Sequence, residues 1–137
     1  MRRVSSATAS FLAISALAFV AIVSVSLSAQ NADAAKMKNP VASTPASIAA
    51  GKASYTKYCQ FCHGESAKGD GKMAPPNSHP SDLTDAKWDH GSTDGEIFMN
   101  IKEGPAPNSV MKGFKARMTD QQIWEVVDYV RSLGPKK

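Results

Sequence analysis

Residues 59–63 read Cys59-Gln60-Phe61-Cys62-His63 and hold both cysteines of the chain. Two thiols at this spacing lie about one helical turn apart, and the imidazole beside the second adds a metal ligand. A thioredoxin-like redox pair expects a βαβ context, and no strand-length alternation of apolar and polar residues appears. A structural zinc site needs four ligands, and only His79 and His90 remain, without the usual close spacing. A single disulfide here would leave a small domain without a core. The C-x-x-C-H string is the attachment site of c-type haem. Each thiol can form a thioether with one haem vinyl group, and His63 then sits beneath the iron as its proximal ligand.

The chain has 137 residues, which makes one domain the default. Arg2 and Arg3 precede an apolar run from Phe11 to Leu27, followed by small residues ending Ala32-Asp33-Ala34-Ala35. This is the pattern of a secretory signal peptide with an A-x-A-like cleavage site. The run contains Ser15, Ser24 and Ser26 and is short for a span of about 20 residues. Residues 1–34 therefore read as a leader, with an uncleaved anchor as the alternative, and the expectation is export to the periplasm. Residues 35–44 are rich in Ala, Ser, Pro and Lys and read as a flexible tail or linker, leaving 45–137 as the domain. Removing Arg2, Arg3 and Asp33 lowers the net charge from +4 to +3. That balance does not resemble a nucleic-acid binder, whose basic residues cluster on one face, and no nucleic-acid partner is expected. A domain of this size buries only about 60–65% of its chain surface, so a large apolar cofactor can serve as its core.

Three helices are expected. One enters the motif, with Thr44 as N-cap, Pro45 at N1, and Ile48, Gly51, Tyr55, Tyr58 and Cys62 at helical spacing. A second starts at the capping-box pattern Thr93-Asp94-Gly95-Glu96 and stops at Gly104-Pro105. A third starts at Thr119-Asp120-Gln121-Gln122 and carries Ile123, Val126, Val127, Val130 and Leu133. The fold class is all-α, a small helical domain wrapped around one haem. The loops Gly64 to Trp88 and Gly104 to Ala116 are long enough to be functional.

The distal iron ligand can be His, Met or absent. Met1 falls in the leader, Met37 in the tail, and Met73 in the loop expected on the proximal side. Met99 lies off the stripe formed by Ile97, Phe98 and Ile101, and Met118 reads as a hydrophobic staple against Ile123. Met111 is left, in an irregular segment that can cross the open haem face. A Met that merely fills a core gap, or His79 or His90 as ligand, stands as the alternative.

In the order of these features the chain resembles the class I, monohaem cytochrome c family, bacterial branch. The resemblance is carried by Gly51-Lys52-Ala53-Ser54-Tyr55 before C-x-x-C-H-G, by Gly69-Asp70-Gly71-Lys72-Met73-Ala74-Pro75-Pro76, by Met111 to Phe114, and by the closing helix Ile123 to Val130. It implies that the first and last helices cross near Gly51, with Tyr55 and Tyr129 packed there. It implies that Pro75 or Pro76 offers the carbonyl that orients His63, and that Trp88 packs near the haem propionates, a core aromatic being its plainer role. The family often has Met-Pro where this chain has Met111-Lys112.

The expected function is an exported carrier of one electron on haem c, with His63 and Met111 as axial ligands of the iron. It is not itself an enzyme, and acts alone or as a subunit or partner of a respiratory oxidoreductase. Its partners are redox donors and acceptors, met through small transient interfaces. A membrane is involved only through an uncleaved leader or a membrane-bound complex. Lys57, Lys68, Lys112 and Lys115 flank the haem motifs and form a candidate basic rim. The alternative is a haem enzyme or gas sensor with a labile distal ligand.

Overall fold

Threonines open the three long helices. Ser47 N–H donates to Thr44 Oγ1 at 3.2 Å, and Thr44 N–H donates back to Ser47 Oγ at 2.9 Å. Thr93 with Glu96 and Thr119 with Gln122 form the same reciprocal capping box, which satisfies otherwise orphaned first-turn donors. In the computed structural model, which describes residues 32–86, 88–105 and 109–134, the resulting elements are α1 (Pro45–Tyr58), α2 (Gln60–His63), α3 (Asp94–Glu103) and α4 (Asp120–Leu133). No strand occurs among the described residues, and the fold is the small all-α one expected. The chain divides into two compact units, Met1–Asp33 and Ala34–Lys137. The leader or anchor expected at 1–34 lies, up to residue 31, outside the described residues.

Residues Tyr55, Ile97, Phe98, Ile101, Ile123, Trp124, Val126, Val127 and Val130 form one buried cluster. Phe98 stacks on Trp124, with centroids 4.1 Å apart and planes 13° from parallel. Met118 is buried in this cluster with Ile123, as a staple requires. α1 and α4 cross at Gly51, where a Cβ would stand 1.9 Å from the Glu125 carbonyl oxygen. Only a residue without a side chain permits that approach. One turn on, the Tyr55 and Tyr129 rings meet at 5.2 Å.

Two expectations need correction. α1 does not run unbroken through the motif. It ends at Tyr58, because Cys59 has φ −114° and ψ −39°, and α2 begins a separate turn after it. Nor is the 35–44 stretch a loose tail. Asn39 Nδ2 donates to Asp128 Oδ1 at 2.8 Å and to the Trp124 carbonyl at 3.3 Å, Val41 packs on the core, and Ala34 is buried. Its Ala/Ser/Pro/Lys composition signalled flexibility, but one amide finds a buried carboxylate and pins the strap. The strap meets α4 at Trp124 and Asp128, about half a turn round from Val126 and Val130, which line the cavity on the other face.

Candidate haem site

The Cys59 to His63 turn is fixed from behind by a loop that folds back on it. Gly69 N–H donates to His63 O at 2.8 Å, Gly71 N–H to Cys62 O at 3.1 Å, and Met73 N–H to Phe61 O at 2.9 Å. Tyr55, fully buried, donates its hydroxyl to Gly64 O at 2.7 Å, and burial raises its pKa, so the phenol stays a donor. Gly64 turns the chain at φ 83°, and a Cβ there would fall 1.8 Å from Asp70 Oδ1.

His63 Nδ1 lies 3.1 Å from the Ser81 carbonyl oxygen. A carbonyl only accepts, so Nδ1 carries the proton and Nε2 keeps its lone pair. Burial lowers the pKa of His63 against the opposing effect of the Ser81 bond, which keeps the ring neutral, the form a metal needs. The orienting carbonyl is therefore Ser81's and not that of Pro75 or Pro76. Pro75 O is occupied by Ser78 N–H at 3.0 Å and Ser78 Oγ at 2.7 Å, and Pro75 remains only as part of the cavity wall. Residue type offered no signal for Ser81, because the group concerned is main chain.

Both cysteines are free and half-buried. Cys62 Sγ faces Met73 O at 3.7 Å. Burial, and secondarily Cys62, push the Cys59 thiol up to about 12. A redox-active pair needs a thiolate with lowered pKa, and this thiol lacks that character. Among the described residues, no group of three or more His, Cys, Asp or Glu is placed to hold a metal ion by itself.

Cys59, His63 and Met111 line a cavity with two lobes. The inner lobe, about 90 Å³, is walled by Tyr55, Leu83, Trp88, Ile97, Ile101, Val126 and Val130. The outer lobe, about 570 Å³, adds Cys62, Tyr58, Pro75, Val110 and Phe114, a size ordinary for a cofactor site. Met111 is half-buried and packs on the core, with its N–H on Ser109 Oγ at 3.2 Å. Of the other methionines, Met99 packs on the core. Met73 is 68% exposed at the rim of the outer lobe. His79 and His90 are exposed rim residues too. Trp88 lines the inner lobe but donates its indole N–H to Asp85 O at 3.0 Å. A second hollow, about 610 Å³, lies along Gln60 to Met73 and has neither a cysteine nor an imidazole in its wall.

The donor set thus fits a haem: paired free thiols in the cavity wall, a neutral imidazole and a thioether sharing one cavity, and apolar walls between. The candidate basic rim is largely engaged with its own chain. Lys115 pairs with Glu103 at 2.5 Å, Lys112 donates to Ser109 O at 2.8 Å, and Lys57 lies 4.9 Å from the Tyr58 ring centroid.

Comparison with known proteins agrees with this site. The chain is 35% identical over 89 residues to the cbb3-type cytochrome c oxidase subunit FixP of Bradyrhizobium sp. ORS 278, covering 65% of this chain and 28% of that one. It is 37% identical over 90 residues to subunit CcoP of Rhodobacter capsulatus, covering 62% and 29%. It therefore spans under a third of the length of these relatives. Among solved structures, a chain of the Kuenenia stuttgartiensis reducing HAO-like protein complex Kustc0457/Kustc0458 superposes with a TM-score of 0.64 at 28% identity, covering 70% of this chain and 47% of that one. Cytochrome cL of Methylophaga aminisulfidivorans shares the fold, with a TM-score of 0.52 at 23% identity over 64% of this chain and 53% of its own. Residues 48–134 match the family model described as Cytochrome c, a stretch that includes the C-x-x-C-H turn and every wall of the cavity. The chain belongs to the cytochrome c family, and its cofactor is a covalently bound haem c with its iron.

Proposed function

We propose that this protein is an exported electron carrier holding one haem c between His63 and Met111, with Cys59 and Cys62 as its thioether links. The observation that carries the reading is that these residues converge on one apolar cavity. When bound, the haem supplies a one-electron ferric/ferrous couple. The chain does the rest. Ser81 O fixes the tautomer of His63 and aims Nε2 as a base. Met111 would supply a soft, neutral thioether ligand, which would raise the reduction potential and leave no open iron position for small molecules. Ile97, Ile101, Val126 and Val130 exclude water, so little solvent reorganises when an electron moves. Cys62 lines the outer lobe, so the thioether-bearing edge of a bound haem would lie on the side where electrons would enter and leave. Phe61, Met73 and Val110 are 47%, 68% and 58% exposed, an apolar margin suited to brief docking.

The partners in this reading are redox proteins, including a respiratory oxidase complex. The cbb3 oxidase subunits among the relatives support that role. Residues 1–34 act as leader or anchor for export to the periplasm, and 45–137 as the cytochrome domain. Among the described residues no helix is long and apolar enough to cross a membrane. Stopped-flow mixing of the reduced protein with oxidase-containing membranes tests the role. Oxidation within the turnover time of the oxidase, unaltered by brief prior exposure of the reduced protein alone to carbon monoxide, is expected. Rapid carbon monoxide binding by the reduced protein at neutral pH would overturn it in favour of a gas-binding or peroxidase-like haem.

A further inference from the structure

The last turn of α4 carries Arg131, whose plain role is to offset the negative end of the helix. Its guanidinium does something more specific. Nε donates to Asp94 Oδ1 at 2.7 Å, Nη2 donates to the Ser92 carbonyl, and Cζ stands 5.9 Å from the Trp88 ring centroid, within cation–π range. All three partners lie on residues 88–94, the loop that enters α3.

That loop is a wall of the cavity. Trp88, His90 and Gly91 line the inner lobe. Within the loop, Trp88 N–H donates to Ser92 Oγ at 2.9 Å, Ser92 N–H donates to Glu96 Oε2 at 3.0 Å, and Asn100 Nδ2 holds His90 O at 2.8 Å. These bonds tie the wall to α3. Among the described residues, Arg131 supplies the side-chain hydrogen bonds from α4 to this region, and it also lies over the indole ring of a tryptophan whose N–H is spent on its own loop. A planar fork makes such a three-way contact and an ammonium does not.

We propose that Arg131 is a positioning residue that clamps the Trp88 to Ser92 wall of the haem cavity. The proposal rests on the reading of that cavity as the haem site. With the clamp released, the wall opens and admits water, which favours the more highly charged ferric centre and lowers the reduction potential.

The test uses the full haem-loaded protein with Arg131→Met, Arg131→Lys and Asp94→Asn. Hydrogen exchange of peptides spanning 85–96 is followed beside a peptide from α1, together with the midpoint potential. Charge-assisted bonds of this kind correspond to about a tenfold change in a local opening equilibrium. Arg131→Met is therefore expected to exchange about tenfold faster in 85–96, with α1 unchanged and the potential lowered. Arg131→Lys should fail to rescue either readout. Wild-type exchange in Arg131→Met overturns the clamp. So does full rescue by Arg131→Lys, which would leave only a charge effect. If Arg131→Met does not accumulate, Asp94→Asn carries the test, and wild-type exchange in it overturns the proposal. A wild-type protein without covalent haem would instead refute the haem reading, and the exchange measurement would still judge the clamp.

Discussion

The two faces of the cavity are built by opposite methods. On the His63 side, consecutive residues Phe61, Cys62 and His63 each receive a main-chain bond from the returning loop, and Ser81 O fixes the imidazole. On the Met111 side, the bonds described are fewer and lie beside the ligand, whose own N–H goes to the nearby Ser109 Oγ. Phe114 N–H donates to Ile101 O at 2.9 Å, Lys115 pairs with Glu103, and Gly104 caps α3. The proximal ligand is therefore preorganised by main-chain bonds from a distant loop, whereas the main-chain bond described for Met111 is local, to Ser109. This division suits the chemistry, since attachment needs a fixed turn.

Four variants probe that contrast, in decreasing order of effect. Cys59→Ser combined with Cys62→Ser should abolish covalent haem entirely, read as loss of haem stain on a denaturing gel, and should remove most of the domain's stability, because the cofactor completes its core. Gly71→Ala strikes the proximal face, where the new Cβ would lie 2.4 Å from the Cys62 carbonyl carbon. It should cost about 3 kcal/mol in denaturant unfolding. Met111→Ala strikes the distal face. It should keep covalent haem and cost only about 1–2 kcal/mol, since the side chain is half-buried, while lowering the reduction potential and opening the iron to carbon monoxide. If the two single substitutions cost the same, the contrast between the faces fails. Lys115→Ala breaks an exposed pair, 62% and 39% accessible, and should change stability by no more than about 0.5 kcal/mol.

Asp128 gives a control away from both faces. It is buried, Oδ2 meets no hydrogen-bond partner among the described residues, and burial foremost, then Asp94 and Glu125, raises its pKa against the lowering effect of Ser47 and Asn39. The folded state thus binds this proton more tightly than the unfolded chain does. Its contribution to stability is present below the ordinary value of 3.8 and is lost as pH rises through the folded pKa. Asp128→Asn should flatten that part of the pH profile, measured as the denaturant midpoint, and leave the haem spectrum unchanged.

Much of this architecture was legible from local pattern. Thr93-x-x-Glu96 and Thr119-x-x-Gln122 announce their helices, and Gly51 and Tyr55 announce the crossing through the family resemblance. What escaped depends on long-range or main-chain partners. Ser47 completes a capping box although it is neither Glu nor Gln. Ser81 acts through a carbonyl, which every residue owns. Asn39 is polar within a loose-looking stretch until Asp128, 89 residues away, gives it a partner. Arg131 looks like a helix-end cation until the fold brings Ser92, Asp94 and Trp88 beneath it.

The central claim is one covalent haem held between His63 and Met111. The absorption spectrum of the purified protein tests it most directly, taken in alkaline pyridine and, for the oxidised form, in the long-wavelength region where iron–thioether ligation gives a weak band. A thioether-type haem spectrum at one haem per chain is expected, with a long-wavelength band that Met111→Ala abolishes. A band that survives Met111→Ala, or a chain without covalent haem, would contradict it.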